Sequence, residues 1–193
     1  MAHSSSTYAA SVGGDERIRL FIGLPIPEDV LEPLAAWQET SFGKTRDVRI
    51  VPPGNVHVTL AFLGYRPVSK IGPITGALRD AATAARPPSL SLRRYRETRS
   101  VGMLVFDDDE EERATKLAGD LHGRLEELGV YERENRPWLP HLTVLRFRRP
   151  PRLHPSLPDL GVVSPSEAAL YHSVLRRGGA QYEVLESVRL GGG

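Results

Sequence analysis

Cysteine is missing from all 193 residues. That excludes disulfides, thiolate metal sites and a cysteine nucleophile, and it fits a reducing compartment. Long apolar runs are missing too. None approaches the roughly 20 residues that span a bilayer, so no membrane partner is expected. Charge of one sign is also scarce: 25 Lys and Arg face 24 Asp and Glu, a net of +1. Any basic surface must then be local rather than global. No glycine-rich turn joins a strand to a helix, which argues against a doubly wound parallel sheet. The opening "MAHSSSTYAASVGGDE" lacks a basic end followed by an apolar block, so it does not read as a secretory signal. The expectation is a cytoplasmic protein with a disordered tail over residues 1–16 and one domain over 17–193.

What is present is ordinary for a globular fold: 40% hydrophobic and 25% charged residues. "RIRLFIGL" (17–24) reads as a strand, and "EDVLEPLAAWQETSF" (28–42) has helical apolar spacing, with Pro33 expected in its first turn or at a kink. "VRIVPP" (48–53) is a short edge strand, 55–63 a longer one, and 68–85 a helix weakened by Pro73 and Gly76. Residues 89–97 and 100–107 form two connected strands. The run 108–129 is the strongest helix, its acidic first turn suiting the positive end of the helix dipole. A strand comes next at 141–148, then a proline-rich loop, then two strands around Gly178–Gly179. The order β-α-β-β-α-β-β-α-β-β-β, rich in hairpin signals, predicts an α+β fold with antiparallel sheets.

One pattern occurs twice. "NVHVTLAFLG" (55–64) and "PHLTVLRF" (140–147) both carry His-x-Thr-x inside an apolar, strand-like run. With six histidines in the chain, chance alone gives about 0.3 such tripeptides. On a strand, residues i and i+2 share a face, so His57 with Thr59, and His141 with Thr143, stand opposite their aliphatic neighbours. Two imidazoles meeting across a cleft are what a phosphodiester displacement needs, one taking a proton and the other giving one. The hydroxyls can donate to phosphate oxygens where charge builds. Two histidines without Asp, Glu or Cys at ligand spacing make a poor metal site.

These paired motifs resemble the HxTx signatures of the 2H phosphoesterase superfamily, and within it the bacterial and archaeal RNA 2′,3′-cyclic phosphodiesterases, historically called 2′-5′ RNA ligases. "RLFIGLPIPEDV" and "LYHSVLRRGGAQYEVLESVRL" resemble the family's opening strand and helix and its closing hairpin. The resemblance implies a bilobal fold of two pseudo-symmetric lobes, with antiparallel sheets around a central groove and helices on the outer faces. It implies hydrolysis of an RNA 2′,3′-cyclic phosphate end to a 2′-phosphomonoester without metal or other cofactor, and reversible 2′-5′ ligation by the same site. His57 would be the proton donor and His141 the proton acceptor, with Thr59 and Thr143 binding the phosphate. Two other readings stay open at this point. One is a non-catalytic nucleotide or RNA-end binder, the other a 2H enzyme acting on a small nucleotide.

Arg146, five residues after His141, is a further phosphate-binding candidate. Strict alternation puts it on the wrong face, so it serves only if the strand ends or bulges after Thr143. The basic stretches "LRRYRETR" (92–99) and "RFRRPPR" (146–152) are candidates for tracking an RNA backbone, with Tyr95 stacking a base. Phe62 and Trp138 flank the motifs, where contact with a base or ribose competes with core packing, and core packing is the expectation for both. His122 is expected on the polar side of its helix. His172 is expected on the closing hairpin, outside the catalytic set. Nothing in the sequence demands more than a monomer.

Overall fold

The computed structural model describes residues 16–177 and 179–191. The tail expected over 1–16 therefore lies, apart from Glu16, outside the described residues. Among the described residues, nine strands and three α-helices run in the order β1 (Arg17–Pro25), α1 (Glu28–Phe42), β2 (Val48–Ile50), β3 (His57–Pro67), α2 (Ile71–Ala84), β4 (Leu90–Glu97), β5 (Val101–Asp107), α3 (Arg113–Glu127), β6 (His141–Phe147), β7 (Val162–Val163), β8 (Glu167–Arg176) and β9 (Gly179–Arg189). Every strand pairing is antiparallel. The sequence-based order holds, with the two-residue β7 added at the end of the proline-rich loop.

The strands run β7-β4-β5-β6-β3-β1-β8-β9, with β2 on the free side of β6. The centre of this path is narrow: β3 meets β6 through one pair, Val58 with Leu142. Two half-sheets thus join at the middle of the two motif strands. One holds β3, β1, β8 and β9; the other holds β6, β2, β5, β4 and β7. Extending the antiparallel register one residue each way sets His57 opposite Thr143 and Thr59 opposite His141. The pseudo-twofold axis passes through the Val58–Leu142 pair, and each half contributes one motif.

Alternation decides the two faces. Val58, Leu60, Leu142 and Val144 are buried and face the helices; each such side chain contributes about 1.5–3 kcal/mol by leaving water. Helices α2 and α3 pack against the first half-sheet and α1 against β2 of the second. β1 is central and buried along Leu20–Leu24, because the helices cover one face and groove aromatics the other.

Two helix details depart from expectation. Pro33 lies beyond the first turn of α1, and the helix runs through it to Phe42. The acidic run 108–112 precedes α3 instead of forming its first turn. Its carboxylates work as caps: Asp108 accepts from the backbone of Ala114 and Thr115, and Asp109 from that of Glu111, Arg113 and Ser89. These bonds satisfy N–H groups that a helix start leaves orphaned. No described helix is long and apolar enough to cross a membrane.

Candidate active site

The motif strands enter the site in matching ways. His57 Nδ1 lies 2.9 Å from the carbonyl of Asn55, and His141 Nδ1 lies 2.8 Å from the carbonyl of Leu139. A carbonyl only accepts, so each Nδ1 carries the proton and donates it. Each Nε2 is left free for the groove. Neither the Thr59 nor the Thr143 hydroxyl bonds to another group among the described residues. The backbone carbonyl of Thr59 accepts from Trp138 Nε1 at 3.0 Å, which ties β3 to the loop before β6.

Beyond each motif the strand slips by one residue. β6 pairs Leu145 with Gly102 and Thr143 with Met103, leaving Val144 unmatched against β5. β3 pairs Ala61 with Ile22 and Thr59 with Gly23, leaving Leu60 unmatched against β1. Both strands consequently show the same burial: the fourth and fifth motif residues are buried and the sixth is exposed. A bulge flips the face of the residues beyond it. Arg146 therefore meets the condition set for it and lines the groove. Phe62 is its counterpart and also lines the groove, half exposed. The expectation of a core Phe62 is overturned, because the alternation it rested on breaks at Leu60.

The groove encloses about 320 Å³ and gathers His57, Thr59, Thr143 and Arg146 with Arg19, Arg49 and Arg176. His141 borders it on β6, close enough that its charge bears on His57. No carboxylate is among the lining residues, and none of the four arginines forms an ion pair among the described residues. A protein of net charge +1 has concentrated free cations where an anion would bind.

The two imidazoles are not equivalent. Phe21 stacks on His57 with ring centroids 4.6 Å apart, and Tyr182 meets it edge-on at 5.4 Å. Phe21 itself stacks on Tyr171. Gly23 clears the remaining side, since a Cβ there would stand 3.1 Å from His57 Cδ2 and 3.0 Å from the Val58 carbonyl oxygen. Enclosure lowers the His57 pKa from 6.5 to about 4. Burial is the largest cause; the Asn55 carbonyl opposes it, and the positive charges of His141 and Arg146 add to it. This aromatic wall escaped sequence reading, since its members come from β1, β8 and β9. The glycine inside the apolar run of β1 was the available signal for a close approach.

Other expectations resolve plainly. Trp138 packs partly buried against the core. Tyr95 does so too, beside Phe42 and with its hydroxyl on Glu97, which takes it away from base stacking. His122 is buried, not on a polar face: its Nε2 meets the Leu60 carbonyl at 2.8 Å and its ring stacks on Tyr131. His172 pairs with Glu183 outside the groove.

Two half-sheets related by an axis between a pair of His-x-Thr strands, with an arginine-lined groove, define a 2H-type phosphoesterase architecture. Comparison with known proteins agrees. A family model described as LigT-like phosphoesterase matches residues 24–99. A curated relative named RNA 2′,3′-cyclic phosphodiesterase from Thermus thermophilus is 33% identical over 184 residues, covering 91% of either chain. One of the same name from Methanothermobacter thermautotrophicus is 26% identical, over 90% of this chain and all of the relative. The crystal structure of TT0787 of Thermus thermophilus superposes with a TM-score of 0.78 at 29% identity, over 91% of this chain and 99% of that one. The chain belongs to the LigT-like phosphoesterase family.

Proposed function

We propose that the chain is an RNA 2′,3′-cyclic phosphodiesterase that converts a cyclic phosphate end to a 2′-phosphomonoester without a metal or other cofactor. The observation that carries this reading is the pair of imidazoles whose Nδ1 atoms are tied to backbone carbonyls, each leaving Nε2 free at one arginine-lined groove. The family and the relatives' names support the substrate class. An absence of carboxylates from the groove lining supports a proton-transfer site over one built to hold a cation.

In this reading the phosphate sits between the motif strands. The Thr59 and Thr143 hydroxyls donate to its non-bridging oxygens, and Arg146 supplies a charge-assisted pair of hydrogen bonds. His141 Nε2 takes a proton from water as the water oxygen bonds to phosphorus. The bond from phosphorus to the 3′-oxygen breaks, and His57 Nε2 gives that oxygen its proton. The 2′-phosphate remains. The same displacement with a 5′-hydroxyl in place of water is the ligase activity. It forms a bond from phosphorus to the 5′-oxygen as the bond to the 3′-oxygen breaks, which leaves a 2′-5′ linkage. We further propose that residues 17–193 work as a single domain and monomer in the cytoplasm, in line with the lack of cysteine.

A neutral His57 bears on the direction of proton flow. With a pKa of about 4, His57 cannot act as an acid at neutral pH until an anion arrives. Burial is the main cause of the low pKa, with the charges of His141 and Arg146 adding to it. A phosphodiester between the three puts a negative charge beside the ring that opposes both, so protonation accompanies substrate binding. The same observation favours a second reading, in which His57 is the base and His141 the acid.

The deciding experiment for the activity is incubation, in excess EDTA, with a short RNA ending in a 2′,3′-cyclic phosphate. A 2′-phosphate product is expected. A 3′-phosphate would reverse which oxygen leaves, and binding without any product would make the protein an RNA-end binder.

A further inference from the structure

β4 carries a third slip of the kind seen in the motif strands. It pairs Leu92 with Phe106 and Arg94 with Val105, so Arg93 is left unmatched against β5. Strict alternation would put Leu92, Arg94 and Arg96 on one face. The extra residue leaves Leu92 packed on the core and turns the two arginines to the other side. β5 carries that side on to the catalytic strand, where Val105 pairs with His141 and Met103 with Thr143. Directly opposed residues of antiparallel strands share a face. Arg94 therefore stands in one row with His141, and Arg96 in one row with Thr143. Two strand spacings, about 10 Å, separate them.

The far end of these rows is built for more than solvent. β7 pairs with β4 only at Leu90 and Ser91. Farther along, the proline-rich loop lies beside β4 and encloses with it a recess of about 550 Å³. Glu97 fixes that loop: its carboxylate accepts from the backbone N–H groups of Arg152 and Leu153, each at 2.8 Å, and from the Tyr95 hydroxyl. Arg152 is thereby held at φ 59°, a left-handed conformation that is costly for a residue other than glycine. Arg152 and His154 line the recess together with Arg94 and Arg96. Glu97 is the one carboxylate on this lining, and the loop's donors already engage it. Arg94, Arg96 and Arg152 are exposed and form no ion pair among the described residues.

We propose that Arg94, Arg96 and Arg152 form a backbone track, which holds phosphates of the RNA upstream of the nucleotide that ends in the cyclic phosphate. This inference rests on the phosphodiesterase reading above and adds the part of the substrate that the two motifs do not reach. Each nucleotide before the cyclic end brings one more negative charge out of the groove. The rows from His141 and Thr143 lead to cations that nothing in the protein neutralises. Guanidinium groups that meet phosphates read charge and spacing and carry no base sequence. The track therefore selects a polymer over a mononucleotide, whatever its bases.

The test compares a nucleoside 2′,3′-cyclic phosphate with a short single-stranded RNA that ends in the same nucleotide. The proteins are wild type, the double variant Arg94→Ala with Arg96→Ala, and the double variant Arg94→Lys with Arg96→Lys. Each phosphate neutralised on a single strand adds about 0.7 to the fall of log affinity with log salt. Wild type should favour the RNA in kcat/KM, through KM, and lose that preference as salt rises. The alanine variant should lose about 10-fold on the RNA at about 0.15 M salt and flatten the slope by about 1.4. Its rate on the mononucleotide should not change. The lysine variant keeps both charges and should keep the slope. Equal losses on both substrates would make the arginines a structural support and overturn the proposal, as would a wild type indifferent to RNA length. An unchanged slope in the alanine variant would put the phosphates elsewhere and overturn it too. If wild type hydrolysed neither substrate, the phosphodiesterase reading would fail by itself. Equilibrium binding of the same RNA across a salt series, to wild type and the alanine variant, would then decide the question without turnover. A flatter slope in the variant upholds the track, and equal slopes reject it.

Discussion

The side-chain amide of Gln38 donates to the carbonyl of Val144 at 2.9 Å, and Val144 is the residue that β6 has in excess over β5. The other half repeats the device with different chemistry: His122 Nε2 donates to the carbonyl of Leu60, the extra residue of β3, at 2.8 Å. In each half a buried polar side chain on a helix holds the bulge from behind, and two residues later the strand delivers its groove residue. Gln38 also donates to the Val51 carbonyl at 3.0 Å, so it fastens both sides of the bend.

Gln38→Leu keeps the volume and removes both bonds. A buried acceptor left without a donor costs about 1–3 kcal/mol. The Val144 carbonyl keeps the Val51 N–H at 3.0 Å, and the substitution also removes a Gln38 Oε1 that is buried without a partner among the described residues. The net loss should therefore be about 1 kcal/mol in urea denaturation. Activity should fall further than stability, through KM, because the position of Arg146 depends on the bulge. A stability loss with unchanged KM would mean that β5 holds the bulge unaided.

This device explains which residues were legible in the chain and which were not. His57, Thr59, His141 and Thr143 were legible because they repeat in sequence and precede the slips, where a period of two still holds. Phe62 and Arg146 come after the slips, and their facing depends on partners in β1 and β5 and on helices far away in sequence. His122 looked polar by helical period, yet Tyr131 folds over it after α3 has ended, a contact no local pattern contains. The acidic run before α3 was correctly tied to that helix start, but its carboxylates reach the N–H groups from outside the first turn.

Gly23→Ala tests how closely the site is built around His57. The added methyl would meet the Val58 carbonyl oxygen at 3.0 Å and His57 Cδ2 at 3.1 Å. The carbonyl belongs to β3 and yields little, so the imidazole is the part that gives way. Turnover should drop about 10- to 100-fold, since a misplacement of about 1 Å can cost 100-fold, while substrate binding through the arginines is largely kept. Steady-state kinetics read the split directly. A rise in KM with kcat intact would show that the ring tolerates the methyl.

The lowered His57 pKa makes stability depend on pH with a definite sign. As pH falls, the unfolded chain takes up this proton near 6.5, whereas the folded chain waits until about 4. Unfolding is thus favoured progressively through that window, and the effect levels off below it. The full difference corresponds to about 3 kcal/mol; water at the groove edge of the ring reduces it, so about 1–2 kcal/mol is expected. His57→Gln should be free of this contribution. Urea midpoints of both proteins at about pH 7, 5.5 and 4 supply the comparison, with wild type losing ground relative to the variant as the pH drops. Parallel curves would mean that the ring is not held neutral.

Which histidine gives the proton can be decided by making the leaving oxygen need none. A p-nitrophenyl phosphodiester of a nucleoside expels an oxyanion that is stable in water, so a general acid contributes little to its hydrolysis, while the base that activates the attacking oxygen is still required. On the cyclic-phosphate RNA, loss of either imidazole should cost about 10²–10⁴-fold. On the activated ester, His57→Ala should recover most of its deficit and His141→Ala should not, if His57 is the acid. The opposite pattern would assign the acid to His141 and make the low proton affinity of His57 the property of a base. Recovery by neither variant would mean that both imidazoles act chiefly by binding the phosphate, and the proton-transfer reading would fall for both.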